Sequence, residues 1–72
     1  MDTLASFRSR SEAIKLYNAL RLQRIAAITI NMPSKFRVGC GLSVLFPANY
    51  RTNVSILIRQ LNLTTFIGFF VK

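Results

Sequence analysis

The chain has 72 residues, of which 51% are hydrophobic, and ten Lys or Arg stand against two acidic residues, for a formal net charge of +8. This length allows a single domain, residues 1–72, and the apolar fraction argues against a disordered chain. Disulfides within the chain and a cysteine-rich zinc site are excluded, because Cys40 is the only cysteine and histidine is absent.

The first half of the chain predicts a strand, a helix and a second strand. Residues 3–7 predict the strand, and Ser9-Arg10-Ser11-Glu12 matches a capping box that starts the helix. In that motif the Ser9 hydroxyl accepts from the N–H of Glu12, and the Glu12 carboxylate accepts from the N–H of Ser9. The buried helical face is predicted at the spacing i, i+3, i+4, i+7 by Ala13, Leu16, Tyr17 and Leu20. Residues 26–31 are rich in β-branched side chains and predict a strand.

The second half repeats this pattern. A loop over residues 33–39 leads to a strand over 41–46, then a helix over 50–61, with Asn49 as candidate N-cap and Asn62 as its stop. Residues 64–71 predict an apolar final strand. The order βαββαβ predicts an α+β, ferredoxin-like fold, with a four-stranded antiparallel sheet and both helices on one face.

The last strand is apolar on both predicted faces. Alternation assigns Ile67, Phe69 and Val71 to one face and Phe66 and Phe70 to the other. One face can pack on the helices, and the other would leave an exposed apolar patch unless it is covered. Self-association is the simplest cover, so we expect a homodimer.

Few residues could carry chemistry. Histidine, the commonest general base, is missing, and no glycine-rich nucleotide-binding loop is present. Asp2 is expected at a frayed terminus, and Glu12 is expected to be occupied at a helix cap. We therefore expect a protein that is not an enzyme and needs no cofactor.

Cys40 is the one side chain able to form a covalent bond to sulfur. Gly39 and Gly41 remove side-chain bulk on either side of it, and the upstream cations Lys35 and Arg37 would favour a thiolate. The alternative is that Cys40 is a small buried hydrophobe at the start of a strand. Because no second cysteine can resolve an adduct within the chain, any adduct must pass to another protein.

Three segments together resemble a family of small bacterial proteins described as selenium/sulfur carrier-like. They are Phe7-Arg8-Ser9 before the helix, Asn31-Met32-Pro33, and Gly39-Cys40-Gly41-Leu42-Ser43-Val44. The resemblance covers about residues 3–46 well and the remainder loosely. It implies that Cys40 carries a persulfide or selenide, and that the partners belong to sulfur or selenium metabolism: a pyridoxal-phosphate-dependent, desulfurase-like donor and a TusA-like carrier.

The chain departs from that family at two places. Gln23-Arg24-Ile25 stands where members tend to have a glycine, so a non-glycine residue must adopt the helix-ending conformation. Lys35 and Arg37 stand where acidic or small polar residues are common. We expect the first departure to affect the stability of the fold, and the second to affect the choice of partner and the reactivity of the Cys40 thiol.

Two other functions stay open. The protein could be a non-catalytic interaction subunit that uses the open face of its sheet. It could also be a basic nucleic-acid-binding module, although Phe66, Phe69 and Phe70 lack the interleaved cations of RNA-binding sheets. No apolar stretch is long enough to span a membrane, and with no leader pattern at the first residues we expect a cytoplasmic protein.

Overall fold

The computed structural model describes residues 1–31 and 41–72. Its elements are β1 (Thr3–Phe7), α1 (Arg10–Leu22), β2 (Ile28–Asn31), β3 (Leu42–Phe46), a 3-10 helix (Ala48–Tyr50), α2 (Arg51–Gln60) and β4 (Phe66–Val71). The strands form one sheet in the order β2-β3-β1-β4, and all neighbours are antiparallel. The predicted ferredoxin-like arrangement is confirmed, although β2 and β4 each begin two residues later than predicted.

Both helices pack on one face of the sheet. Alternate residues of the two central strands point to that face, because Ala5 pairs with Val44 and Phe7 pairs with Leu42. They join one buried cluster with Phe46 and the helical residues Ala13, Leu16, Leu20, Val54 and Leu57. Tyr17 and Ile58 pack on this cluster from the side, as their helical spacing predicted.

The start of α1 is tied to the start of β4. Ser9 is the N-cap, and its hydroxyl accepts from the Glu12 N–H at 3.3 Å, as predicted. The other half of the predicted capping box is wrong. The Ser9 N–H donates to the Thr65 hydroxyl at 3.2 Å, while the Glu12 carboxylate accepts from the Thr65 N–H at 2.9 Å and from the Thr65 hydroxyl at 2.7 Å. Thr65 displaces the local contact because it brings two donors to one carboxylate.

Each helix ends at a residue in the left-handed conformation. Arg24 has φ 59°, and the N–H of the next residue, Ile25, donates to the Leu20 carbonyl at 2.9 Å. Asn62 has φ 54° and ends α2 in the same way. These are Schellman motifs, in which glycine is the usual residue. The prediction that a non-glycine residue must adopt this conformation after α1 is confirmed, as is Asn62 as the stop of α2.

Asp2 is not frayed, contrary to the prediction. Its backbone carbonyl accepts from the Lys72 N–H at 2.9 Å, which joins the beginning and end of the chain. Its carboxylate accepts from the Ala48 N–H at 3.2 Å, at the first residue of the 3-10 helix. Asn49 was predicted as the N-cap and lies inside that helix instead, where no side-chain capping bond forms at Pro47 or Tyr50. The Asp2 carboxylate, 46 residues away in the chain, is therefore the hydrogen-bond acceptor at this helix start, in place of the predicted Asn49 side chain.

The predicted faces of β4 are confirmed for Phe69, Val71 and Phe70 but wrong for Phe66, because the strand contains a bulge. Phe66 pairs with Phe7, and the register then shifts so that Gly68 pairs with Ser6. The extra residue places Phe66 and Phe69 on the same, helix-covered side, with ring centroids 5.0 Å apart. These two rings pack against the core and offer no stacking platform on the opposite face.

The sheet face opposite the helices carries two cross-strand rows. One row is apolar: Ile28, Leu45, Leu4 and Phe70. The next row is Ile30, Ser43, Ser6 and Gly68. Leu4 and Leu45 of the central strands are only 3% and 4% exposed, and Phe70 on β4, where the apolar patch was expected, is half-buried. At the edge, Ile28 is 43% exposed.

Among the described residues, no helix has the length and apolar character needed to cross a membrane.

Candidate functional site

Most residues of the predicted thiol site lie outside the described part of the chain. Gly39, Cys40, Lys35 and Arg37 fall within residues 32–40. Gly41 is described; it is buried and directly precedes β3. The geometry of the site therefore rests on the residues that flank this segment.

The two flanks of the Cys40 segment meet at one end of the sheet. Asn31, the last residue of β2, pairs with Leu42, the first residue of β3. Leu42 also pairs with Phe7, the last residue of β1. The described chain on both sides of the segment thus lies beside the point where β1 leaves the sheet and leads into α1.

Two arginines and a helix N-terminus lie at this end of the sheet. Arg8 and Arg10 follow β1 directly, and both are exposed. The N-terminus of α1 starts there as well, and helix N-termini favour a negative charge. These features were missed in the sequence, where cations were sought only just upstream of Cys40. The predicted fold could have revealed them, because it pairs β1 with β3 and so brings the residues after Phe7 near the residues before Leu42.

The nearest carboxylate is already engaged. The hydrogen bond from the Thr65 N–H is the main reason that the pKa of Glu12 lies below its ordinary value of 4.5. Burial raises this pKa, whereas hydrogen bonds from the Thr65 hydroxyl and from Thr64 lower it further. Asp2 lies at the opposite end of β1, bonded to Ala48. The two acids of the chain therefore sit apart, each in a structural hydrogen bond.

Two shallow clefts lie beside the helix ends. A cleft of about 350 Å³ lies between α2 and the start of β4 and is lined by Ser55, Ile58, Arg59, Asn62, Leu63 and Phe66. Another, of about 310 Å³, lies at the end of α1 and is lined by Arg21, Arg24, Ile25, Ala26 and Ala27. Each cleft has at least one arginine beside apolar walls, a combination that suits an anionic group with an apolar neighbour.

Comparison with known proteins identifies one family. The family model described as "Putative Se/S carrier protein-like" matches residues 2–65, which include β1, both helices, β3 and the Gly39-Cys40-Gly41 motif. No curated protein and no solved structure shows a significant match to this chain.

Proposed function

Because this chain belongs to the Se/S carrier protein-like family, we propose that it relays sulfur or selenium between proteins on the Cys40 thiol. The observation that carries the proposal is the family match across the Gly39-Cys40-Gly41 motif, in a chain with no other cysteine. The donor is a desulfurase-like enzyme, and the acceptor is a TusA-like carrier or another protein thiol.

The relay consists of two exchange reactions with no net oxidation. The Cys40 thiolate attacks the terminal sulfur of a persulfide on the donor, so that a new sulfur–sulfur bond forms and the donor cysteine leaves as a thiolate. An acceptor thiolate then attacks the terminal sulfur on Cys40, and Cys40 leaves as a thiolate. For selenium, the transferred atom is the terminal selenium of the donor's corresponding selenium adduct. The single cysteine fits this scheme, because the chain has no second thiol that could divert the adduct into an internal disulfide.

The described surroundings support thiolate chemistry. Arg8, Arg10 and the start of α1 bring positive charge to the sheet end where the Cys40 segment begins and ends. A positive environment favours the thiolate, which is the attacking and leaving form in both exchanges. The Glu12 carboxylate, which is bonded to Thr65, can offset only one of the two arginine charges.

Mass spectrometry of the intact protein tests the proposal. After incubation with a cysteine desulfurase and cysteine, we expect the wild-type chain to gain one sulfur atom that a reducing thiol removes. The Cys40→Ser variant is the matched control and should gain none. A parallel incubation with selenocysteine and a selenium-releasing lyase compares the two elements. If Cys40 gains neither sulfur nor selenium under conditions that load a known carrier, the proposal fails.

A further inference from the structure

One flank of α1 carries an exposed stripe of four residues along the whole helix. Arg10, Ile14, Tyr17 and Arg21 stand at the spacing i, i+4, i+7, i+11, which places them on one side of the helix. Both arginines are exposed, Ile14 is 45% exposed, and Tyr17 is half-buried. We call this set the α1 stripe; at 1.5 Å per residue it extends about 16 Å.

The cation at the end of the α1 stripe is held in place. An Nη1–H of Arg21 donates to the Tyr17 hydroxyl at 2.8 Å, and the guanidinium carbon lies 5.6 Å from the centroid of the Tyr17 ring. The hydrogen bond to Tyr17 also raises the pKa of Arg21 above its ordinary value. Tyr17 itself packs against the core. A guanidinium fixed in this way loses less conformational entropy when it binds a carboxylate.

The α1 stripe runs into the cleft at the end of the helix. Arg21 lines both, and Arg24 lines the cleft on its other side, next to Ile25 and Ala27. Two guanidinium groups beside aliphatic walls suit a carboxylate whose own stem is apolar, as in a glutamate side chain.

No acidic side chain of this chain neutralises the α1 stripe. The only two acids are Asp2 and Glu12. Asp2 is bonded to Ala48, and Glu12 points to Thr65 from another side of α1. The charge of the stripe is therefore available to a partner of opposite charge.

We propose that the α1 stripe docks an acidic helix of a partner protein. Carboxylates of that helix bind Arg10 and Arg21, and an aliphatic side chain between them packs on Ile14. Nucleic acid fits less well, because bases stack on exposed aromatic faces and the Tyr17 ring already has Arg21 over it. A lipid surface fits less well, because diffuse membrane charge gains nothing from one fixed, directional guanidinium. This docking proposal adds the surface chemistry of a partner to the proposed function. It rests on that function only in taking the partner to be a donor or acceptor of the relay.

The probe is a helical peptide of about 20 residues, with glutamates spaced i and i+11 to match the separation of Arg10 and Arg21, a leucine between them on the same face, and a fluorophore at one end. With the full-length protein we expect saturable binding that weakens as salt increases. Arg21→Gln should lower the affinity about 5- to 10-fold, and Arg10→Gln should lower it by a similar factor. Lys15→Gln is the matched control: it removes the same charge from α1 but lies outside the stripe, and it should change the affinity less than about twofold.

Two further variants test whether the fixed position of Arg21 contributes to binding, and whether peptide binding is independent of Cys40. Tyr17→Phe keeps the charge and removes the hydroxyl that holds Arg21, so we expect a loss of about 2- to 4-fold in affinity. Cys40→Ser should bind the peptide as wild type does, so that peptide binding and sulfur loading can succeed or fail independently. Equal losses in Arg21→Gln and Lys15→Gln would overturn the proposal. So would tighter binding of single-stranded RNA, or of phosphatidylserine vesicles, with the same dependence on Arg21.

Discussion

Glu12 and Thr65 lie 53 residues apart in the chain, and Thr65 donates two hydrogen bonds to the Glu12 carboxylate, from its N–H at 2.9 Å and from its hydroxyl at 2.7 Å. The pair connects the first turn of α1 to the residue before β4. Because β1 lies between β3 and β4 in the sheet, this tie also secures the end of β1 that lies beside the Cys40 segment.

Glu12→Gln should destabilise the protein by about 1 kcal/mol, because a neutral amide oxygen accepts these bonds more weakly than a carboxylate does. The carboxylate also predicts a dependence on pH. Its folded pKa is lowered, so its contribution is present above the ordinary value of 4.5 and is lost as the pH falls from there through the folded pKa. Urea unfolding at pH 7, 5 and 3 measures both effects. Identical acid sensitivity in Glu12→Gln and wild type would contradict this role.

Ser6 and Ser43 form a hydroxyl pair at 2.8 Å in the middle of the sheet, and both residues are fully buried. Each single substitution to alanine should cost about 1–2 kcal/mol, because a buried hydroxyl group loses a partner. The double variant should cost less than the sum, with a coupling free energy of about 0.5–1 kcal/mol. Urea unfolding of the wild type, the two single variants and the double variant gives the double-mutant cycle. Strictly additive changes in the free energy of unfolding would show that the two hydroxyls do not interact.

Arg24→Gly should stabilise the protein by about 0.5–1 kcal/mol, because Arg24 has φ 59° and glycine adopts this conformation without a steric penalty. The matched control is Asn62→Gly, at φ 54° after α2. Asparagine tolerates this conformation better than arginine does, so the control should gain less. Thermal unfolding measures the two changes. An equal or larger gain at Asn62 would contradict the explanation.

Asp2→Ala should destabilise the protein by about 0.5–1 kcal/mol, because the Ala48 N–H loses its acceptor at the start of the 3-10 helix. The loss should extend to the pairing of Asp2 with Lys72, which hydrogen exchange at the Lys72 amide would report. Asp2→Asn is the control that keeps an acceptor oxygen and should retain most of the stability. If Asp2→Ala and Asp2→Asn behave alike, the carboxylate does not act as a cap.

Arg8→Gln should slow the labelling of Cys40 by iodoacetamide at neutral pH by about 2- to 4-fold, because one positive charge is removed beside the flanks of the Cys40 segment. Lys15→Gln removes the same charge from the middle of α1 and should leave the rate unchanged. The folded wild type should react without denaturant. A reaction that requires denaturant would identify Cys40 as a core residue and remove the basis for a carrier.

Much of the fold follows from local patterns. The apolar spacing of Ala13, Leu16 and Leu20 predicts the buried face of α1, and Ser9 before it predicts where the helix begins. The left-handed residue after α1 also follows from sequence, since a strand must begin soon after the helix has ended. These features depend on residues within a few positions of each other, so one sequence is enough to predict them.

The tertiary structure alone decided which distant groups satisfy the helix ends and how β4 lies in the sheet. The Glu12 carboxylate accepts from Thr65 and not from Ser9, and the Asp2 carboxylate caps a helix 46 residues away. Both contacts form because the antiparallel pairing of the strands brings these groups together. The bulge in β4 moves Phe66 and Phe69 onto one face, which strict alternation could not predict. By itself the sequence determined that Cys40 is the only thiol and that two acids cannot neutralise ten cations. Folding decided that both acids accept hydrogen bonds from backbone N–H groups far away in the chain.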